Sequence, residues 1–347
     1  MKYFAVILCL ILLDTKAQII SPFNKLAVNA TNQKNYSFYV GGHFHGSSTN
    51  VSGFPAASLL ANLDLLNADT TMFLISTGDL FLDVKNNIPN YEKSFFNKLK
   101  IPLFNAVGNH DISGDVYTSH YGKTWSSFQL GTEAFIILDA EINDGSIKDE
   151  QLDFFKSSLK KFTGTNSLVK NIFIFTHRPV WAEDDENLKN IFVDNTQSDF
   201  GNNFQSTVLP LLKKYSKTQK FYWFSGSLGA SAPASFFTYN TKDNINFIQT
   251  AIRDLPRDGI LKVKLNNAIV SFETVSFSDQ KMPEFETCGL NMWKSAPTST
   301  PFNYRLIPLY IKQMLFHRYF WYGLLIGILS FLSLRFVILK IKQKKIA

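Results

Sequence analysis

Cysteine is nearly absent from this chain. Two occur in 347 residues, and Cys9 lies in an N-terminal apolar run, which leaves Cys288 alone in the body. No intrachain disulfide can form there, so a small fold held by disulfides is excluded. Acidic residues are missing from the other end: none follows Arg318, while Arg335, Lys340, Lys342, Lys344 and Lys345 give that end net +5. The first seventeen residues contribute net +1 through Lys2, Lys16 and Asp14, so about +1 of the formal +7 belongs to Gln18 through Arg318. The body therefore lacks the basic footprint of a nucleic-acid partner, and none is expected. Repeats and low-complexity tracts are absent too, and an apolar fraction of 45% is ordinary for a chain with a core.

The two ends point to a membrane. Met1 to Ala17 has an early lysine, an apolar run and a small residue before Gln18, the pattern of a cleaved secretory signal. Leu8 is too large for the position before a lipoprotein Cys9. Tyr319 to Leu339 carries one charge, Arg335, over a length that spans about 30 Å as a helix. Tyr319, Phe320, Trp321 and Tyr322 suit one interface, and the lysines from Lys340 onward suit the cytoplasmic side. A single-pass type I protein follows, with its large domain outside the cytosol: in the endoplasmic reticulum lumen or at the cell surface, or in a bacterial periplasm or exterior. Lys344 and Lys345 match the dilysine pattern for retrieval to the endoplasmic reticulum. Sequons begin at Asn29, Asn35 and Asn50, no more than chance supplies, and say nothing of the organism.

Between the ends, apolar runs alternate with helical stripes. Ser37 to Gly42 reads as a strand, and Phe54 to Leu66 as a returning helix with Ala56, Leu59, Leu60, Leu63 and Leu66 on one face. A strand ending at Thr77, a helix around Tyr91 to Leu99 and a strand before Gly108 continue a parallel crossover pattern. Ser126 to Leu130 and Ala134 to Asp139 form a hairpin pattern, followed by a helix over Asp149 to Phe162 and a strand over Asn171 to Thr176. Trp181 to Asn203 is polar, a long loop and candidate lid whose Glu183 to Glu186 run is a solvated surface. Phe204 to Tyr215 is helical, with Pro210 kinking it or marking its middle. After a strand over Phe221 to Ser225, four short strands from Ser235 to Val275 suggest a second, antiparallel sheet. The boundaries are a signal at 1–17, a leader at 18–36, a domain at 37–275, a stalk at 276–318, a transmembrane helix at 319–339 and a basic tail at 340–347.

Chemistry collects at strand ends, where sites of α/β sheets sit. The most specific stretch is Ile101 to Ile112, an apolar run that stops at Gly108 and is followed at once by Asn109, His110 and Asp111. His43-Phe44-His45-Gly46, Gly78-Asp79 and His177 end three other strands. In order and spacing these resemble the calcineurin-like metallophosphoesterase family, including its purple acid phosphatase-like members, over roughly Ser37 to Val275. That family binds two metal ions through Asp-x-His, Gly-Asp, Gly-Asn-His-Asp, a lone His and Gly-His-x-His. The resemblance implies a four-layer αββα sandwich, two mixed sheets flanked by helices, here with one C-terminal transmembrane helix added. By the family pattern Asp79 would bridge the ions, Asn109 and His177 would hold one and His45 the other. His110 would protonate the leaving group, with Asp111 orienting its ring.

Two motifs depart from the family. His43 stands where the first Asp belongs, removing a negative charge from the ligand set, and the final motif is replaced by Gly226-Ser227-Leu228-Gly229. Six histidines exist in the chain, and His120 is the spare one. With the ligand set reduced to His45, Asp79, Asn109, His177 and the exchanged His43, one divalent ion (Mn, Fe or Zn) is expected rather than two. The degenerate site leaves two functions open. One is a membrane-anchored phosphoesterase of weak or mononuclear activity acting on a phosphoester substrate outside the cytosol. The other is a pseudophosphatase that serves a protein partner as an anchor or adaptor.

Overall fold

The computed structural model describes residues 18–29, 34–188, 191, 201–278, 280–295 and 307–344. The signal at Met1 to Ala17 and Lys345 of the dilysine pattern lie outside the described residues. The chain opens with β1 (Asn35–Gly41), then α1 (Ala57–Ala61) and α2 (Leu63–Ala68), so the expected single helix is interrupted at Asn62. β2 (Leu74–Ser76), α3 (Val84–Tyr91), a π turn at Glu92–Phe96, β3 (Leu103–Asn105) and α4 (Val116–Tyr121) follow. β4 (Ser126–Leu130), β5 (Glu133–Ile137), α5 (Asp149–Thr163) and β6 (Asn171–Thr176) lead to α6 (Leu209–Tyr215), where Pro210 sits in the first turn that tolerates it. β7 (Lys220–Ser225), β8 (Phe236–Asn240), β9 (Ile245–Thr250), β10 (Gly259–Asn266) and β11 (Ile269–Ser276) complete the sheets, and α7 (Leu290–Ser295), α8 (Ile307–Phe316) and α9 (Arg318–Lys344) end the chain.

Two mixed sheets form. One has the order β11-β10-β1-β2-β3 and the other β4-β5-β6-β7-β9-β8. The strands from Ser235 onward do not make an antiparallel sheet of their own: β8 and β9 extend the second sheet, while β10 and β11 extend the first. Turn signals report which strands are consecutive, and they carry no record of the crossing from one sheet to the other between Thr250 and Gly259.

Alternation along the strands separates the layers. Phe135 and Ile137 of β5, and Phe173 and Phe175 of β6, face the other sheet beside Phe38 and Val40 of β1. Their neighbours Ala134, Ile136, Ile172 and Ile174 face outward to α5 and α6. Both faces are therefore apolar, which is why these strands are continuous hydrophobic runs. Phe128, Phe135, Phe173 and Tyr222 stack across four adjacent strands with ring centroids 4.7, 5.3 and 5.1 Å apart. Phe38 meets Phe135 edge-on at 5.3 Å. Phe135→Ala is expected to remove about 3–5 kcal/mol of stability, read from the urea midpoint.

The expected leader and stalk are packed as well. Ser21 Oγ donates to the Leu103 carbonyl at 2.6 Å, and Phe23 sits over Tyr121 at 4.4 Å. Phe277, Phe285 and Cys288 are buried, and Trp293 Nε1 donates to the Phe236 carbonyl at 3.0 Å. Asp69 joins three elements at the outer face of the first sheet, accepting from Tyr39 Oη and Lys262 Nζ at 2.5 Å each. Burial would raise its carboxyl, but Lys262 and Tyr39 outweigh it and hold it down to about 2. This stabilisation is present above the ordinary carboxylate range and is lost as pH falls through about 2. Asp69→Asn is expected to cost about 1 kcal/mol at neutral pH, because the pair is partly solvated. In the same variant the loss of stability between pH 4 and pH 2 should be shallower, as thermal melts would show. Last, α9 contains a 24-residue stretch, Arg318–Ile341, long and apolar enough to cross a membrane, whose apolar window is not buried among the described residues.

Candidate metal centre

β1, β2 and β3 are neighbours in one sheet, β6 and β7 in the other, and all five run parallel within their sheets. Their carboxyl ends bring His43 and His45, Asp79, His110, His177 and Ser227 into one place. The turns that do this are tight. His43, Asp79 and Ser227 all have positive φ, at 55°, 55° and 60°, a conformation that costs a non-glycine residue on the order of 1 kcal/mol. Gly108 has ordinary φ but no room: a Cβ there would lie 2.2 Å from Asp79 Oδ1.

Asp79 is the hub. Its Oδ1 accepts from the His110 backbone N–H at 3.1 Å. Its Oδ2 faces three buried imidazoles: His177 Nε2 at 3.4 Å, His43 Nδ1 at 3.5 Å and His45 Nε2 at 3.6 Å. Among the described residues, none of these ring nitrogens has a hydrogen-bond partner. His177 Nδ1 donates to the Thr77 carbonyl at 2.9 Å, so its Nε2 presents a lone pair. In the neutral ring that lone pair faces the carboxylate oxygen across 3.4 Å, the orientation in which both could hold one cation. Two overlapping donor sets result, His43/Asp79/His177 and His45/Asp79/His110, each with its ligand atoms within 4.8 Å of one another and Asp79 in both. Imidazole nitrogen with carboxylate oxygen is a donor set that suits Zn, Fe or Mn. These residues fit a divalent ion.

Electrostatics favours the same ligand states. Burial would raise the Asp79 carboxyl, but His177, His43 and His45 hold it well below the usual range. Burial, and then the Arg253 cation, push His43 well below its ordinary value against the pull of Asp79, leaving a neutral imidazole. Burial also lowers His45. Ionised carboxylate and neutral imidazole are the forms that bind metal.

Two expected roles are altered. Asp111 does not orient the His110 ring. Its Oδ2 accepts from Gly108 N–H at 2.9 Å and from the Asn105 amide at 3.1 Å, and its Oδ1 accepts from Phe81 N–H at 3.1 Å. It braces the loop backbone, and burial with the nearby Asp79 charge lifts its carboxyl to about 7 despite those three donors. The His110 ring is held instead by the Leu82 carbonyl, 3.0 Å from Nδ1. Asn109, expected as an amide ligand, is exposed. His120 is exposed on α4 and bonded to the Val116 carbonyl at 2.8 Å, away from the centre. Trp181, Ala182 and Leu188 of the candidate lid are buried core, and residues 189, 190 and 192–200 lie outside the described residues.

Arg253 is the residue that motif reading missed. It follows β9 in the segment that crosses between the sheets, where no pattern marks it. Its Nε donates to the Leu228 carbonyl at 2.6 Å, and its Nη2 lies 3.3 Å from His43 Nε2. A guanidinium is thus held between the Leu228 carbonyl and His43 at the edge of the centre. Both Asp258 carboxylate oxygens, each 3.0 Å from Arg253 N, fix the backbone that carries it.

Two mixed sheets meeting at a His/Asp cluster on their strand ends is the arrangement that the motifs imply. No protein-family model matches the sequence, and neither does any curated protein. Among solved structures, the chain is similar to a purple acid phosphatase from yellow lupin (Lupinus luteus) seeds, with TM-score 0.48 and 13% identity over 78% of this chain and 58% of that one. It is also similar to a cold-active protein-tyrosine phosphatase of a psychrophilic Shewanella species, with TM-score 0.30 and 12% identity over 70% of this chain and 80% of that one. The chain thus spans little more than half of the lupin enzyme.

Proposed function

We propose that this metallophosphoesterase-like chain is a divalent-metal phosphoester hydrolase anchored to a membrane by α9, with its large domain outside the cytosol. The observation that carries the reading is the convergence of three unpartnered, buried imidazole nitrogens on one ionised carboxylate oxygen. His45, Asp79 and His177 hold the ion, one rather than two, with His43 beside them and its Nε2 facing the Arg253 guanidinium. A bound Mn, Fe or Zn ion supplies a Lewis acid for a phosphoryl oxygen and an acidified water. His110, anchored through Nδ1, presents Nε2 to donate a proton to the leaving oxygen. Asp111 keeps the loop in place behind it, and Arg253 adds a positive charge that favours a phosphate.

A second reading has its own observation. The Arg253 cation beside His43 opposes a second ion, as it would in a pseudophosphatase that serves as an adaptor. The two are separated by the metal content per chain of the full-length protein, purified with Mn, Fe and Zn supplied, and by its turnover of an aryl phosphate. About one ion per chain with turnover is expected. No ion and no turnover would sink the hydrolase in favour of the adaptor.

A further inference from the structure

The metal centre lies directly behind one wall of a cavity whose opposite wall is the first turn of α9. A cavity of about 1320 Å³ is walled on one side by Asn50, Leu82 and Arg253. Each of these touches a histidine of the centre: the Asn50 amide donates to the His45 carbonyl at 2.8 Å, the Leu82 carbonyl accepts from His110 Nδ1 at 3.0 Å, and Arg253 lies 3.3 Å from His43. The other wall is Phe316, Arg318 and Tyr319. Those residues are the end of α8 and the first turn of the membrane helix, and Phe316 packs on Phe54 of the domain with ring centroids 6.1 Å apart.

Three features of this cavity argue for a lipid. Its volume exceeds the roughly 300–1,000 Å³ of ordinary small-molecule pockets, and a phosphate group alone would leave most of it unfilled. Its wall is the interfacial end of α9, where aromatic residues lie at headgroup level, so the cavity meets the bilayer surface. Phe316 and Tyr319 remain 67% and 60% exposed, apolar surface available beside the cations Arg253 and Arg318. The cavity's acids are Asp83 and Asp254, and Asp254 is engaged by Ser58 N–H and Oγ at 2.9 Å each.

We infer that the substrate is a phosphoester of a membrane lipid, delivered from the bilayer that α9 spans; this rests on the hydrolase reading above. For a phosphomonoester lipid, the water oxygen bonds to phosphorus and the bond between phosphorus and the lipid oxygen breaks. That oxygen leaves with the His110 proton, and the water's proton restores the imidazole. The products are the lipid alcohol and inorganic phosphate.

The test uses the full-length, metal-supplied chain in phosphatidylcholine vesicles. Phosphate release is compared for long-chain phosphatidic acid in the same vesicles, dihexanoyl phosphatidic acid in solution and an aryl phosphate in solution. The vesicle-borne ester is expected to be favoured by about tenfold or more in kcat/KM over the dihexanoyl ester. Phe316→Asp, at an exposed position outside the core, should bring that ratio toward one. Equal turnover of soluble and vesicle-borne esters overturns the lipid inference and leaves the hydrolase standing. Turnover of none of the three overturns the hydrolase, and the lipid inference with it.

Discussion

Asp79→Asn is expected to empty the metal centre while leaving the domain folded. The substitution keeps the size and shape of the side chain but removes the negative charge on which His43, His45 and His177 converge. It also places an amide N–H where the two donor sets share an oxygen, or turns the amide so that one set keeps only a weak carbonyl ligand. Losing groups that merely orient metal ligands costs about 10–100-fold in affinity, and losing the shared ligand should cost at least about 100-fold. Metal titration by calorimetry would show this directly, and aryl phosphate turnover should fall with it. Burial holds His43 and His45 below their ordinary value, and the buried Arg253 cation keeps Asp258 as a charge partner, so the melting temperature of the variant without metal should stay close to that of the wild type. Wild-type turnover in Asp79→Asn would end the hydrolase reading.

Gly108→Ala should damage both the fold and the metal centre. The new methyl would lie 2.2 Å from Asp79 Oδ1, which the His110 N–H holds, and 2.7 Å from the Asp79 backbone nitrogen, which cannot swing away. Either the strand end or the Asp79 turn must shift. A cost of about 3 kcal/mol, at the upper end for overpacking, is expected together with the loss of metal binding. Gly114→Ala is the control. There φ is +56° with nothing near the added methyl, so its cost should be the conformational one of about 1 kcal/mol, with metal binding retained. Urea midpoints and metal titration of the two variants separate a steric requirement from a backbone one.

The parts of this molecule that could be read from its sequence are those in which one residue type follows a strand at a fixed offset. His43, His45, Asp79 and His177 each terminate an apolar run, and a chain that buries both faces of its parallel strands has little choice but to present them together. Arg253 was hidden because its neighbours in space, Leu228 and His43, lie 25 and 210 residues away and nothing local marks a crossing segment. The Asp111 contacts are not legible in sequence for a related reason. The family pattern gives the Asp111 carboxylate to the His110 ring, yet the 3-10 turn at Asn109–Asp111 directs it back to the Gly108 N–H. The leader carried no periodicity because much of its hold is side chain to backbone, through Ser21 and through Asn24, whose amide donates to the Ile101 carbonyl at 2.8 Å. The final strands showed as hairpins, but pairing between distant strands leaves no turn to read.

Cys288 closes the matter of redox sensitivity. It is fully buried, and burial pushes its thiol up to about 12, so it is neither ionised nor accessible at neutral pH. With no disulfide to make, the domain should fold alike in reducing and oxidising surroundings. The body also behaves as a silent background for thiol chemistry, in which a single cysteine introduced at exposed Thr49 on the cavity rim would be the site that a maleimide probe finds.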